Sequence, residues 1–436
     1  MNVYIYDLDH LDLSFIKIVP GDVVVIKPNL VKEAKETNPD EWECVITSPL
    51  VIRKVVMYVG EQLDGTGKIV ICDAPQSDSD FDLIRKRAEL DEIAAAASKR
   101  FNIAVEVVDL RRHTWKNSDG IVTDHQDNQG DPEGAIRFVL NEKSLFSGHR
   151  GEGRYYGADY DTKVLNSHHR RGVHEYLVCR TPILADVFIC LPKLKTHKKT
   201  GVTLSLKNLV GINADKNWLP HHTSGRKGDE FPDKSFKHVV EGICKSIVRN
   251  VILKIPGIGL LVSQKLRKVG EHMLGDGHTV VRSGNWYGND TTWRMVHDLN
   301  YCLLYGNPNG TFRDNCPKRY YSVIDGLVGM EGNGPMQGEP KETGLIIGGD
   351  DPVGVDIVAS RIMGFDWKKL PVIKNAVGNT KITKISNHDI QNIMIISSEK
   401  KWNGSCFGEF AEGEFEQYKP HFGWLGHIEW ERGTGQ

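Results

Sequence analysis

The chain has 436 residues, of which 39% are hydrophobic and 26% are charged, as in an ordinary globular protein. Its formal net charge of -2 argues against a bulk nucleic-acid binder, whose footprint would be a strongly basic domain, and leaves local basic patches open. No uninterrupted apolar run reaches the roughly 18 residues that a transmembrane helix needs. The first residues also lack the basic start and apolar core of a secretory signal. We therefore expect a cytoplasmic protein without a transmembrane segment.

The N-terminal part alternates between strand and helix patterns. Residues 21–26, 68–72 and 103–110 are β-branched or apolar runs that predict buried strands. A helix is predicted from Pro49, with Ser48 as its N-cap, and another over residues 83–100. This β-α-β-α-β order predicts an open parallel sheet with helices on both faces.

The middle of the chain contains its most informative segment, LPKLKTHKKTGVTLSLKNLVG at residues 191–211. It follows an apolar run at 185–190, which predicts a buried strand. The lysines and histidine of 193–199 are predicted to lie in a short loop, and residues 202–210 in a helix that ends at Gly211. A strand, a cationic loop and a helix N-terminus in series predict a site for phosphate or carboxylate.

The C-terminal part returns to an α/β pattern. Residues 321–324 and 343–347 predict strands on either side of a Gly-rich loop, and Asp351-Pro352 predicts the start of a helix. The apolar segment 251–269 could lie on a membrane surface, but a core helical hairpin or a lid is the preferred interpretation. We divide the chain into a 1–111 α/β lobe, a 112–182 irregular insertion, a 183–319 cationic and helical region, and a 320–436 α/β lobe with a tail. The predicted fold is α/β, with a mostly parallel sheet, two lobes around a cleft and a large irregular or helical insertion.

Several predicted strands end in polar residues, at the edge where open α/β sheets bind their ligands. For any one of them, a solvated loop charge is the simpler interpretation, but several strand ends together indicate a site. The candidate anion-binding residues are Lys27, Asn29, Asp73, Lys193, Thr196, Lys207, Asn208 and Asp351. For Asp351, an N-cap is the alternative role.

The candidate catalytic residues are His197, Lys195 and Glu331. A histidine among lysines is disfavoured in its charged form, and crowded lysines have lowered pKa values, so both could exchange protons near neutral pH. Glu331 lies in the Gly-rich loop 329–338, where glycines allow close approach to a ligand. The alternatives are an exposed basic loop and a plain flexible loop.

His168, His169 and His174 are the candidate ligands for a divalent metal or a metal-organic cofactor. Their spacing matches no standard metal motif, so surface histidines are the alternative. None of the eight cysteines forms a C-x-x-C pair, so the chain has no iron–sulfur cluster motif of that type.

Five blocks of sequence resemble the domain of unknown function 362 family, in order and over most of the chain. They are KPNL at 27–30, ICDAP at 71–75, the 191–211 segment, DGLVGMEGNGP at 325–335 and DDPVGVDIVASRIMG at 350–364. The resemblance implies a soluble prokaryotic α/β protein whose biochemistry is largely unassigned. Many members carry a ferredoxin-like cysteine cluster, which this chain lacks. The layout of the first strands is also weakly similar to the nickel-pincer lactate racemase family, which implies a cofactor cleft between two lobes.

Two functions follow from these patterns. The first is an enzyme that acts on a small anionic substrate with Lys, His and Glu acid–base groups, with or without a metal. The second is a non-catalytic anion-binding or cofactor-binding accessory protein, or a redox partner. The class of reaction, the substrate and the oligomeric state stay open at this stage, as does a peripheral membrane contact through 251–269.

Overall fold

The protein is described here from a computed structural model. The structure describes residues 1–118, 121–157, 161–224, 228–232, 262, 265, 280–316, 318–377, 385–386, 392–399, 401–403 and 416–431. The predicted apolar segment 251–269 lies outside these residues, apart from Val262 and Lys265.

The described residues form strands and helices that alternate along much of the chain. The strands are β1 Asn2–Tyr6, β2 Val23–Pro28, β3 Lys68–Asp73, β4 Ala104–Asp109, β5 His113–Ser118, β6 Ile121–Asp127, β7 Ala135–Val139, β8 Tyr155–Tyr156, β9 His169–Arg170, β10 Val173–Cys179, β11 Val187–Leu191, β12 Lys193–His197, β13 Gly201–Val202, β14 His222–Thr223, β15 Arg319–Glu331, β16 Glu339–Gly349 and β17 Met394–Ser397. The helices are α1 Pro49–Gln62, α2 Phe81–Arg87, α3 Leu90–Phe101, α4 Thr162–His168, α5 Arg180–Leu184, α6 Leu204–Asn208, α7 Thr292–Tyr305, α8 Pro352–Ile362 and α9 Pro371–Lys374.

One mostly parallel sheet organises the fold. Its strand order is β17-β1-β16-β15-β11-β2-β3-β4, and β12 and β13 extend it beside β15. The five strands from β15 to β4 are parallel, whereas β16 runs antiparallel to both of its neighbours. The predicted α/β class with a mostly parallel sheet is confirmed.

Helices cover both faces of this sheet. Along β2, Val25 packs into one apolar core, while Val24 and Ile26 pack into the other, because successive strand residues face opposite sides. Helices α1 and α3 contribute to the second core, and α6, α7 and α8 contribute to the first. Both layers therefore depend on the continuous apolar strands that the sequence pattern predicts.

Strands from both predicted lobes belong to this single sheet. β2 pairs with β11, and β11 pairs with β15, so the N-terminal and C-terminal strands are joined through the middle of the chain. The predicted irregular insertion contains regular structure, namely the β5–β6 hairpin and a small antiparallel sheet of β7, β10 and β9. β5 and β6 are mostly polar and lack the apolar alternation by which a sequence predicts a strand, whereas the run 175–179 in β10 does predict one.

Two local predictions differ from the structure. The helix predicted over 83–100 is divided into α2 and α3 at Glu89, whose φ of 50° is left-handed and interrupts a helix. The loop predicted for 193–197 is strand β12, which pairs with β15 and buries all five of its residues. A run of lysines predicts a loop because lysine side chains are usually solvated. Here Lys193 and Lys195 are buried instead, and they bind Asp325 and the carbonyl oxygen of Val45.

Candidate functional site

A buried polar network lies at the carboxyl ends of β2 and β3. Lys27 Nζ is 2.7 Å from Asp73 Oδ1, and both side chains are almost fully buried. Asn208 Oδ1, at the end of α6, accepts hydrogen bonds from Lys27 Nζ at 3.1 Å and from Asn29 Nδ2 at 2.9 Å. We call these four residues the strand-end network. The structure thus brings together four of the predicted anion-binding residues, and it pairs them with one another.

Gly211 closes over the strand-end network. A Cβ at this position would lie 1.9 Å from Asp73 Oδ1 and 2.7 Å from Lys27 Nζ, so only glycine fits here. Its carbonyl oxygen also accepts a hydrogen bond from Ala74 N at 2.9 Å. The helix predicted over 202–210 is shorter in the structure, because α6 spans Leu204–Asn208 and a 3₁₀ helix over Leu209–Ile212 contains Gly211. The role of Gly211 is thus to allow the backbone to approach a buried ion pair.

A second buried ion pair lies where β12 runs beside β15. Lys193 Nζ is 2.7 Å from Asp325 Oδ2, and the two side chains are 1% and 0% exposed. Asp325 also accepts backbone hydrogen bonds from Ser48 N at 2.6 Å and Leu327 N at 3.0 Å. The charge of Lys193 is therefore neutralised inside the protein.

The next residues of β12 are also engaged. Lys195 Nζ donates to the carbonyl oxygen of Val45 at 2.7 Å. Thr196 Oγ1 donates to the carbonyl oxygen of Gly332 at 2.9 Å, which fastens β12 to the Gly-rich loop. These two predicted site residues thus join the sheet to the loops above its carboxyl edge.

The N-terminus of α6 is occupied by a carboxylate of the protein itself. Asp356, on α8, accepts hydrogen bonds from Ser205 N at 2.7 Å and Leu206 N at 3.0 Å. The expectation that this helix end offers free N–H groups to a ligand is therefore wrong. Asp351 accepts from Val353 N and Gly354 N, both at 2.9 Å, so it is the N-cap of α8.

Four buried or half-buried lysines, Lys195, Lys199, Lys207 and Lys216, form what we call the lysine cluster. The charge of Lys207 acts on Lys195 and Lys199, and the charge of Lys216 acts on Lys207. Burial is the main cause that lowers their pKa values, and neighbouring lysine or arginine charges add to it. The pKa values fall to about 7 for Lys195, Lys199 and Lys207 and to about 8 for Lys216. These amines change charge near neutral pH.

Three members of the lysine cluster have acceptors and one does not. Lys195 donates to Val45 O, Lys216 to Ala74 O at 2.7 Å, and Lys199 to Ser283 O. Lys207 is half-buried, and its ammonium has no hydrogen-bond or ion-pair partner within the described part of the chain. A charge held without a partner beside other cations is an arrangement that an anion would stabilise.

His197 is the neutral member of this group. Burial, followed by the charge of Lys207, lowers its pKa well below the usual range. Its Nδ1 accepts a hydrogen bond from Lys199 N at 3.1 Å and lies 3.0 Å from Thr200 Oγ1. The proton of the neutral ring is therefore on Nε2, a donor that has no partner among the residues described here.

Glu331 lies at the end of β15, where the Gly-rich loop begins. Its Oε2 accepts a hydrogen bond from Lys419 N at 3.1 Å, and its Oε1 is 3.8 Å from Lys419 Nζ. The loop itself packs on β12, because Lys198 N donates to Gly334 O at 3.0 Å. The predicted catalytic carboxylate is thus near the end of β12 in the fold, but its contacts are with the C-terminal segment.

The three predicted metal ligands lie together beside the small sheet, each with its own partner. His168 stacks on Trp218 with a ring-centroid distance of 3.3 Å, and His169 Nε2 is 2.8 Å from Trp218 O. His174 Nε2 is 3.4 Å from Glu152 Oε1. Over the described ranges, no group of three or more His, Cys, Asp or Glu side chains is arranged to hold a metal ion.

Lys199, Lys216 and His221 are not among the site residues predicted from the sequence. His221 lies near the lysine cluster, since burial and the charges of Lys199 and Lys207 lower its pKa to about 3. These residues belong to irregular segments, in which no periodicity predicts where a side chain points. The signal available in the sequence was the number of lysines and histidines in and after the 191–211 segment.

Comparisons with known proteins define the relationships of the chain. A family model described as "Domain of unknown function (DUF362)" matches residues 24–127 and 149–361. The chain is 38% identical over 191 residues to "Thylakoid-associated protein sll1697" of Synechocystis sp.. That match covers 43% of this chain and 36% of the relative, so it spans about a third of the relative's length. No solved structure matches. Among the described residues, no helix is long and apolar enough to cross a membrane.

Proposed function

Because the chain belongs to the DUF362 family, whose description names no activity, we propose a function from the site itself. The protein is an enzyme that binds a small anionic substrate, a phosphate or a carboxylate, at the carboxyl edge of its sheet. The observation that carries the proposal is a pair of donors, Lys207 Nζ and His197 Nε2, that have no partner among the described residues and lie beside the other lysines of the cluster.

Lys207 supplies the charge that holds the anion. Lys27 and Lys193 are neutralised by Asp73 and Asp325, so they set the shape of the edge rather than contact the ligand. Lys207 has no such carboxylate, and its ammonium would gain a charge-assisted hydrogen bond when an anion binds. Binding also favours the protonated amine, since an adjacent negative charge raises a lysine pKa.

His197 supplies a neutral hydrogen-bond donor. Its Nδ1 is held by Lys199 N, so the ring presents Nε2–H in a fixed direction. A neutral imidazole of this kind stabilises negative charge that develops on a substrate oxygen, because Nε2–H donates a hydrogen bond to that oxygen. Lys207, with a pKa of about 7, is the group that exchanges a proton at neutral pH.

The other predicted catalytic residues have supporting roles in this proposal. Lys195 is buried against Val45 O, and its charge acts on His197 through space. Glu331 is fixed by the backbone N–H of Lys419 beside the Gly-rich loop. The metal and the cytoplasmic location stay predictions, and the name of the Synechocystis relative places that protein at the thylakoid.

The experiment separates an enzyme from an anion-binding accessory protein. A panel of phosphate monoesters and hydroxycarboxylates is incubated with the protein, and both binding and product formation are followed by NMR. His197→Asn is the informative variant, because its amide oxygen can still accept from Lys199 N while Nε2–H is lost. His197→Gln is the matched variant, since it keeps a donor near the Nε2 position.

An enzyme requires turnover of at least one compound, and His197→Asn should reduce that turnover about 100-fold or more while changing affinity only a few-fold. His197→Gln should retain more activity than His197→Asn. If both variants change affinity alone and no compound is converted, the accessory function is correct and the catalytic proposal is wrong.

A further inference from the structure

A pocket opens beyond the carboxyl ends of β3 and β4. Its walls come from residues 111–115, which follow β4, from residues 213–217, and from Ser77. Lys216 belongs to the lysine cluster and also lines the pocket. Its Nζ donates to the carbonyl oxygen of Ala74, the first residue after β3. The pocket was not predicted from the sequence, since its two walls are about 100 residues apart in the chain.

One residue that lines the pocket carries a buried donor. Asn213 is 1% exposed, and its buried Nδ2 makes no hydrogen bond to any residue that the structure describes. Its Oδ1 accepts from Asp215 N at 2.9 Å, which fixes the amide group in place. A buried amide N–H without an acceptor costs free energy, so a ligand atom that accepts from it would recover that cost.

Some charged side chains of the pocket already have partners in the protein, and others are available to a ligand. The guanidinium of Arg111 is engaged by Asp109 and by carbonyl oxygens of the 76–79 segment. Arg112 is exposed, and its guanidinium has no partner in the described part of the chain. Asp215 brings one carboxylate, but its Oδ1 is occupied by Asn217 N and Nδ2, both at 2.9 Å. The groups left for a ligand are mainly donors.

We propose that this pocket binds a second anionic group of the same ligand, through Asn213, Arg112 and Lys216. The substrate class is then a molecule with two separated anionic groups, one at Lys207 and one in the pocket. The inference rests on the proposed anion site at Lys207 and deepens it. The two positions are linked through Ala74, whose carbonyl oxygen accepts from Lys216 Nζ and whose N–H donates to Asp73 Oδ1 of the strand-end network at 2.8 Å.

Two inorganic probes test the proposal by isothermal titration calorimetry. Inorganic phosphate can fill one position, and linear tripolyphosphate can extend from one position toward the other. Asn213→Asp is nearly isosteric and keeps the acceptor for Asp215 N, but it replaces the free N–H donor with a negative charge. Arg112→Gln is the second variant, because its exposed side chain can change without loss of packing. Lys99→Gln is the matched charge control, since α3 leads from Lys99 into the amino end of β4, at the opposite edge of the sheet.

We expect the wild-type protein to bind tripolyphosphate about tenfold or more tightly than phosphate. Asn213→Asp and Arg112→Gln should each weaken tripolyphosphate binding about tenfold and change phosphate binding less than about threefold. Lys99→Gln should change neither. If Arg112→Gln and a folded Asn213→Asp both bind tripolyphosphate like the wild type, the second subsite does not exist. Should Asn213→Asp fail to fold, Arg112→Gln decides alone. Loss of phosphate binding in Lys207→Gln tests the first site separately.

Discussion

The buried pair Lys193–Asp325 should be one of the most important polar contacts for stability. At a separation of 2.7 Å, two unit charges attract by about 6 kcal/mol for an effective dielectric constant of about 20. Much of that energy offsets the desolvation of the two groups, but removing one partner leaves the other charge buried and uncompensated. We therefore expect Lys193→Met or Asp325→Asn to lower the free energy of unfolding by about 3–5 kcal/mol. The double variant should cost clearly less than the sum of the two.

An exposed pair provides the control for this prediction. Arg53 and Glu89 have the same separation of 2.7 Å, but their side chains are 38% and 48% exposed. Arg53→Met should lower the free energy of unfolding by less than about 1 kcal/mol, because water screens the pair. Urea denaturation followed by circular dichroism measures all four variants. If Lys193→Met costs no more than Arg53→Met, the interpretation that β12 is a strand stabilised by internal pairing is refuted.

Three further predictions concern the carboxyl edge of the sheet. Phosphate affinity should fall as pH rises above about 7, because the ammonium of Lys207 that binds the anion is present below its lowered pKa and lost above it. Phosphate titrations at pH 6 and 8.5 measure this fall, and an equal fall in Lys207→Gln would contradict the prediction. The free energy of unfolding should rise between pH 7 and 9, because in this range the lysine cluster loses protons in the folded protein while the same lysines stay protonated in the unfolded chain. A urea midpoint that does not change over this range would contradict the assigned burial. Gly211→Ala should reduce stability by about 1–3 kcal/mol, because its Cβ would overlap Asp73; thermal unfolding measures the change, and an unchanged midpoint would show that the overlap does not matter.

The elements that the sequence predicts best are those with local signals. β2 and β3 are continuous β-branched or apolar runs, and α8 begins with an N-cap and a proline. Each of these features depends on neighbouring residues alone, so composition and spacing are sufficient. Polar strands such as β5 and β6 offer no such alternation, and they appear in the structure only.

The sequence predicts where the candidate site lies, but not which of its side chains pair with one another. Strand ends point to the carboxyl edge, and Lys27, Asn29, Asp73 and Asn208 meet there. The partner that turns the lysine run into a strand is Asp325, which lies 132 residues away from Lys193 in the chain. No local pattern specifies a contact over that distance, so a buried lysine and a solvated one look alike in sequence.

The same reason explains the error at α6. A helix that follows a cationic loop predicts an open anion site, because the sequence shows the donors and not what they bind. Asp356 fills that helix end from 150 residues away. What remains free is decided by which donors the fold leaves unpaired, and within the described residues Lys207 Nζ and His197 Nε2 are two such donors beside the strand-end network.

The most direct test of this account is a calorimetric titration of inorganic phosphate at pH 6.5 into the wild-type protein, Lys207→Gln and the control Lys99→Gln. We expect phosphate to bind the wild type and Lys99→Gln with similar affinity, and to bind Lys207→Gln about tenfold or more weakly. Equal phosphate affinity in all three proteins would contradict the claim that Lys207 is the residue that holds the anion.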